Sequence, residues 1–497
     1  MAYNLIIPMA GQGKRFIRAG YKDYKPFIKI NGKFMIDHVI DSFPETVNIQ
    51  VITSNNLLTE QQEDYLKEAG CNIIYIENHS KGPAYSIYQA RNELNLKEGF
   101  FISYVDIFWN WDWKSIQKQL DQEGIIFTHR GFHPHLVDNN FSAFCSSDLN
   151  NQGNFLAIRE KESFTDNWMD EYLSIGLFYV KTGEWMINAI SAMINNKEMV
   201  NGEFFPSLIY NYLKTDGKSI KLVDVDSFIH WGVPEQLNDY LAWGKKIIHK
   251  EVPENEYPSV MTMAGVGLRM KDLSQKPKAL IPIHNKPMFK FVFDKFNSKD
   301  KSLITTDAVM SDIQDSHGFN CYILPKQTSS QFDTILSSEE FLLTQKEFFL
   351  LSCDSYGLFD ANEFRSFVDE YQPDAVIFSF HPTLIQQKLL SQHTHISYRE
   401  NAVTEIHIKS KSSDNDLGLA GFFWVRNGKD IVSTHEIIHC NNTELTADHI
   451  FKQMIKDNYN ILKYDLDHYV HLGSFTEFKE FQYWNSRKEF FTMSNIM

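Results

Sequence analysis

The chain has 497 residues, 43% of them hydrophobic and 22% charged, with a formal net charge of −15. One hydrophobic core does not extend over that length, and two domains of about 250 residues each lie at the upper end of the usual size. The acidic balance argues against broad binding to nucleic acid or acidic lipid, and no stretch approaches the roughly 20 apolar residues of a bilayer span, so an anionic small ligand needs a locally basic pocket.

The first residues pass directly into an apolar run, with no basic leader and no cleavage site, from which a cytoplasmic location is expected. Apolar runs bounded by turns at 5–8, 47–53, 73–76, 100–104, 124–128 and 175–180 read as strands, and the stretches from Met35 and Ala84 have helical spacing. The alternation predicts an α/β fold, a mostly parallel mixed sheet flanked by helices, with ligands beyond the carboxyl ends of the strands. Cys71, Cys145, Cys321, Cys353 and Cys440 are scattered without a CxxC pair, which argues against a disulfide framework and a zinc site.

One pattern occurs twice. The first strand runs into Met9-Ala10-Gly11-Gln12-Gly13-Lys14-Arg15, and a second apolar strand from Val260 runs into Met263-Ala264-Gly265-Val266-Gly267-Leu268-Arg269. The match continues at Lys25 and Lys278, Asp106 and Asp354, Lys161 and Lys411, and Gly232 and Gly473, at offsets that shrink from 254 to 241 nearly monotonically. Chance matches scatter, whereas duplication with small loop deletions does this. Between the copies, Lys250–Pro258 is polar, carries two prolines and reads as a linker. The expected domains are 1–250 and 258–497, two Rossmann-like folds in tandem.

Gly11 and Gly13 free the backbone to wrap a triphosphate with its amides inward, and Arg15 brings a fork of donors to phosphate oxygens. Taken alone, that loop is also an ordinary strand-to-helix turn. Lys25-Pro26-Phe27 lies just downstream, and its lysine suits the same phosphates.

Gly-x-Gly-x-Arg followed some ten residues later by Lys-Pro resembles the sugar-phosphate nucleotidylyltransferases, in particular the branch found in surface-polysaccharide gene sets. The resemblance covers the first half and, more faintly, the second. It implies a nucleotidyltransferase fold in which a nucleoside triphosphate and a sugar or polyol phosphate combine, releasing pyrophosphate. It also implies that Gly82-Pro83-Ala84 places a helix start against the nucleotide, alongside Ala10 and Gln12 of the loop. Many members have a base-reading glutamine where this chain has Glu77, followed by Asn78; a carboxylate accepts from the exocyclic amine of cytosine, which mildly favours CTP. Asp106 resembles the family's magnesium ligand, a hard oxygen donor at a strand end. Lys161 resembles the lysine that grips the sugar phosphate, and Glu203 an acceptor from sugar hydroxyls. Each also has a plainer reading, as a helix cap or a solvated charge.

The departure lies in Phe228-Ile229-His230-Trp231-Gly232, where many members have a second metal-binding aspartate at the position of His230. Imidazole is a poor magnesium ligand. Asp226 or Asp224 is then expected to supply that carboxylate, unless Asp106 and the triphosphate hold the metal mainly by themselves. Transfer needs positioning and charge neutralisation, so Arg15, Lys25 and Lys161 are the expected catalytic set, with Mg2+ at Asp106.

The second copy keeps Gly265, Gly267, Arg269, Lys278, Asp354, Lys411 and Glu444, and His471 repeats His230. Gly82-Pro83-Ala84 becomes Ser330-Gln331-Phe332, where a phenylalanine would fill the base pocket. It reads as a second transferase, a non-catalytic partner or a nucleotide binder, and the losses weigh toward the non-catalytic readings. The competing class, a glycosyltransferase of similar fold, usually shows Asp-x-Asp, whereas this chain has Tyr104-Val105-Asp106. Trp109, Trp111, Trp113 and Phe132 suggest either a stacking wall for the acceptor or core packing. Homo-oligomerisation is left open.

Overall fold

The structure, a computed structural model, describes residues 3–136, 142–148, 154–248, 254–265, 270, 276–313, 317–435 and 445–492. The chain divides into two compact units, Met1–Leu241 together with Glu489–Met497, and Ala242–Lys488.

In the first unit nine strands form one mixed sheet: β1 (Tyr3–Pro8), β2 (Val47–Ser54), β3 (Cys71–Ile76), β4 (Gly99–Ser103), β5 (Gly124–His129), β6 (Ala143–Asp148), β7 (Asn154–Glu160), β8 (Tyr172–Val180) and β9 (Ile220–Asp224). Their order is β3-β2-β1-β4-β8-β5-β9-β7-β6, with β6 also bonded to β8. The first four run parallel, and β8 is antiparallel to both β4 and β5.

The local sequence explains why β1 lies inside. Leu5, Ile6 and Ile7 are all fully buried, because successive side chains point to opposite faces and both faces are covered. Ile6 packs in one core with Ile87 and Met186, whereas Leu5 and Ile7 pack in the other with Ile36 and Val39. Each such side chain contributes about 1.5–3 kcal/mol on burial.

The second unit builds its sheet from β10 (Ser259–Thr262), β11 (Lys301–Thr306), β12 (Asn320–Leu324), β13 (Lys346–Ser352), β14 (Ala375–Phe380), β15 (His395–Arg399), β16 (Ala402–His407), β17 (Leu417–Asn427) and β18 (Ile461–Asp465). The order is β12-β11-β10-β13-β17-β14-β18-β16-β15, with β15 also bonded to β17. This is the first order strand for strand. The repeat seen in the glycine loop extends to the whole topology of each sheet.

Several expectations need correcting. The helical stretches from Met35 and Ala84 are short helices, Met35–Ile40 and Pro83–Ala90. The end of the supposed linker is packed rather than free: Asn255 is buried, the ring of Tyr257 lies against Phe349, Phe364 and Trp424, and Phe349 N–H donates to Pro258 O at 2.8 Å. The division between the units falls inside the helix Pro234–Ile248. Trp109, Trp111 and Trp113 pack around Phe43 and Phe101, as the core-packing reading expects. Among the described residues no helix is long and apolar enough to cross a membrane.

Candidate active site

β1 and β4 are parallel neighbours, so the residues following their carboxyl ends meet at one sheet edge. After β1 the loop is tied down by its backbone, with Met9 N–H donating to Ile52 O at 2.9 Å and the Tyr24 hydroxyl donating to Met9 O. Gly13 has φ +62°, and a Cβ there would stand 3.2 Å from Lys25 Cβ, so this residue must lack a side chain for the loop to close over Lys25. Gly11, Gln12 and Arg15 are exposed, the last on the short helix Lys14–Arg18, while Ala10 is buried.

Lys25 opens the turn Lys25–Phe27, and its ammonium donates to Asp106 Oδ2 at 2.5 Å and to Gly232 O at 3.2 Å. Burial by itself would raise the Asp106 carboxyl, but the charge and hydrogen bond of Lys25 hold it below the ordinary value. His230 ends the antiparallel ribbon of Ile107–Asn110 with Ser227–His230, where it pairs with Ile107 beside Asp106. Burial lowers its imidazole to about 4, against the pull of Asp106 and with the help of Lys25 and Arg15, so the ring is neutral. Among the described residues its Nδ1 is buried without a hydrogen-bond partner.

The same ribbon removes Asp226 from the site. Asp226 precedes Ser227, which pairs with Asn110, whereas Asp106 precedes Ile107, which pairs with His230. The two aspartates therefore lie at opposite ends of the ribbon, roughly 13 Å or more apart at about 3.3 Å per residue. Asp224 is also engaged, accepting from Thr128 and from Arg130. Asp106, with its side chain 16% exposed, is the hard oxygen donor at this edge, and it fits a divalent cation shared with phosphate oxygens.

Lys161 and Glu203 come from the end of β7 and the turn before the helix Ile209–Thr215. Lys161 follows β7 with φ +60°, its N–H donating to Ser142 O at 2.9 Å and its ammonium 5.0 Å from the Phe205 ring centre. Next to it, burial pushes Glu160 up to about 7, opposed by a hydrogen bond from Ser207 and by Lys161 and supported by Glu203. Gly82, at φ +88°, lies where a Cβ would come within 2.8 Å of Glu203 Cβ and of Phe204 backbone, so the start of the helix Pro83–Ala90 touches the Glu203 turn. Ala84 is in the core. Glu77 and Asn78 are exposed just past β3, with Glu77 N–H donating to Gln89 Oε1 at 3.0 Å.

Two features escaped the sequence reading. Among the described residues the Tyr104 hydroxyl is buried without a partner, and burial together with the carboxylates of Glu160, Asp106 and Glu203 raises it well above an ordinary phenol. His133 and His135, both 2% exposed, brace the ribbon: His133 Nε2 lies 3.2 Å from Phe228 O, and His135 Nδ1 lies 2.8 Å from His230 O. Tyr104 stands two residues before Asp106, and that proximity was the only signal available.

In the second unit Lys278 donates to Asp354 Oδ2 at 2.5 Å. His471 Nε2 lies 3.6 Å from the same oxygen, and His471 Nδ1 lies 2.6 Å from Glu477 Oε2. Burial would lower His471, but Glu477 and Asp354 raise it to about 10, the opposite of His230. His393, His471 and Glu477 offer three ligand atoms within 4.8 Å, yet Glu477 already accepts from Ser474 and Gln386 as well. Gly265 lies at this edge, whereas Gly267, Arg269 and Glu444 fall outside the described residues.

Two expectations for this unit are overturned. Lys411 lines a separate cavity with Ser397 and Asp416 and pairs with Asp414 at 3.6 Å; Lys409, just past β16 with φ +49°, borders the Asp354 site instead. Strand pairing gives the same match: Arg159 pairs with Phe144 as His407 pairs with His395, so Lys409, and not Lys411, corresponds to Lys161. Phe332 is 3% exposed and packs into the core with Ala264 and Ile335, so it does not fill a base pocket.

The segment that carries the glycine loop and Asp106, residues 5–153, matches the family model of the MobA-like NTP transferase domain. No curated protein matches the chain significantly. Among solved structures it is similar to the nucleoside-diphosphate-sugar pyrophosphorylase from Vibrio cholerae RC9, at 20% identity and a TM-score of 0.40 over 48% of this chain and 99% of that one. It is also similar to the inositol-1-phosphate CTP transferase from T. maritima, at 17% identity and a TM-score of 0.37 over 48% of this chain and 93% of that one.

Proposed function

We propose that the first unit joins a nucleoside triphosphate to a sugar or polyol phosphate and releases pyrophosphate, making an activated cytoplasmic precursor for capsule or other surface polysaccharide. The observation that carries this reading is the Lys25–Asp106 pair, closed over by Gly13 within the segment that matches the NTP transferase domain. Exposed Glu77 next to Asn78 favours CTP over UTP or dTTP, since its carboxylate accepts from the cytosine amino group and not from a uracil or thymine carbonyl.

In this reading the amides of Gly11 and Gly13, with Arg15 and Lys25, hold the triphosphate. Lys161 and Glu203 hold the acceptor, and Tyr104 and Glu160 supply hydroxyl-directed contacts between them. An acceptor phosphate oxygen attacks the α-phosphorus, a new P–O bond forms, and the bond to the bridging oxygen of pyrophosphate breaks. The nucleophile is already an anion, so no side chain need remove a proton. Asp106 would hold a divalent cation such as Mg2+, which supplies charge neutralisation on the phosphates when bound.

The test is pyrophosphate release from each of the four nucleoside triphosphates against a panel of sugar and polyol phosphates. Release with one pairing, lost in Lys25→Ala, is the expected result. The absence of release with every pairing would refute the reading.

A further inference from the structure

The second unit contains a cavity of about 520 Å³ at the edge where Lys278 meets Asp354, within the range typical of small-molecule sites. Residue by residue, it differs from the first unit in a way that creates room. Phe178 pairs with Ile102 as Phe423 pairs with Leu350, so Tyr104 corresponds to Ser352 and Gly176 to Gly421. The two glycines share a left-handed backbone, at φ +87° and +72°. In the first unit the Tyr104 ring fills the space above Gly176, where a Cβ would come within 2.5 Å of it. In the second, among the described residues, a Cβ on Gly421 would meet only Ser355 Oγ, at 3.6 Å.

The walls of that space are suited to an anion. Ser330 and Gln331 line it while Phe332 turns into the core, and Lys278 and Lys409 bring two cations to it. Asp354 is fixed between Lys278 and His471, and His471 is anchored in turn on Glu477. Such a chain of buried partners sets the wall before any ligand arrives.

We propose that this cavity is a second ligand site, which takes an organic phosphate with a hydroxyl-rich body. The phosphate lies by Lys278 and Lys409, and the body occupies the room opened at Ser352 and Gly421. The site stands independently of the reaction assigned to the first unit, because the family match ends at residue 153.

Calorimetric titration of the full chain carrying Arg15→Ala, Lys25→Met, Asp106→Asn and Lys161→Ala isolates it, since the first unit then lacks its phosphate-binding cations and removing both charges of the first pair leaves no unpaired buried ion. The probes are inorganic phosphate, the four nucleoside triphosphates, and hexose, pentitol and glycerol phosphates. At least one organic phosphate is expected to bind at one equivalent. Its affinity should fall tenfold or more on adding either Lys278→Ala or Ser352→Tyr, the latter rebuilding the ring that closes the first unit. Binding by triphosphates alone assigns a nucleotide, and binding by the sugar or polyol phosphates alone assigns an acceptor. The proposal is overturned if no probe saturates, or if both substitutions leave the affinity unchanged in chains whose thermal unfolding matches the parent.

Discussion

Lys25 and Asp106, 81 residues apart in the chain, meet at 2.5 Å. The same distance separates Lys278 from Asp354 in the second unit. A lysine held by a carboxylate at the mouth of a glycine loop is oriented before substrate arrives, so Lys25→Ala is expected to lower turnover by about 10²- to 10³-fold, the scale of losing a preorganised charge contact. It also leaves Asp106 mostly buried without its cation, at a cost of about 2–4 kcal/mol once its partial exposure is allowed for. Urea unfolding and pyrophosphate release on the same preparation check both effects. Full activity in Lys25→Ala would remove this lysine from the reaction.

Arg15 makes the contrasting case. It is exposed on a short helix and bears on His230 only through its charge. Arg15→Ala should therefore leave unfolding within about 0.5 kcal/mol of the parent and still cut kcat/KM by roughly tenfold or more through lost phosphate contacts. A large drop in stability would instead give Arg15 a structural role.

The two aspartates offered as metal ligands can be separated directly. Asp106→Asn is expected to abolish stimulation by a divalent cation. Asp226→Asn, at the far end of the ribbon, should change the cation concentration for half-maximal activity by less than about twofold, since surface substitutions away from such features have small effects. Equal losses in both variants would return Asp226 to the site.

Glu160 gives a pH signature with a definite sign. Its carboxyl, ordinarily at 4.5, stands at about 7 in the fold, so the native chain binds this proton more tightly than the unfolded chain does. The stabilisation is complete below about 4.5 and is lost as pH rises through about 7, to the order of 3 kcal/mol at most. Glu160→Gln does not titrate, so the stability of this variant relative to the parent should rise between pH 5 and pH 8. Lys161 and Ser207 oppose the shift while Glu203 adds to it, and an unchanged difference would mean that the first two offset the burial fully.

Gly82→Ala combines two penalties, a left-handed φ and a Cβ pressed to 2.8 Å against Phe204 backbone. A loss of about 2 kcal/mol or more is expected, with a weakened apparent affinity for the acceptor because the Glu203 turn must move. Parent-like melting would show that the turn has slack.

How much of this was legible in the sequence depended on the kind of force involved. Strands such as β1, buried on both faces, announce themselves as unbroken apolar runs. β7, whose Asn154 and Arg159 are exposed, and β6 and β9 near the same edge do not. The glycine loop, Lys25 and Asp106 were readable because backbone geometry and phosphate charge restrict which residues serve there. Asp226 was misplaced because two residues close in sequence to a site can lie at the other end of a ribbon whose pairing only the fold reveals. Lys409 was missed for Lys411 because two lysines stand two residues apart, and only the strand pairing shows which of them corresponds to Lys161. Phe332 was misread because a helix start presents one side chain to the ligand edge and the next to the core.

The residues after Lys488 have a consequence for how the protein is made. Phe490 O accepts from Tyr240 and Asn31, and its ring packs edge-on against Phe108, all within the first unit. That unit is assembled from the beginning of the chain and from residues translated almost 250 positions after its main body. Domains that fold during synthesis usually finish in the order they emerge. Here the first begun is expected to be completed last, and a ribosome that stalls within the second unit would leave the first without the residues that seal it.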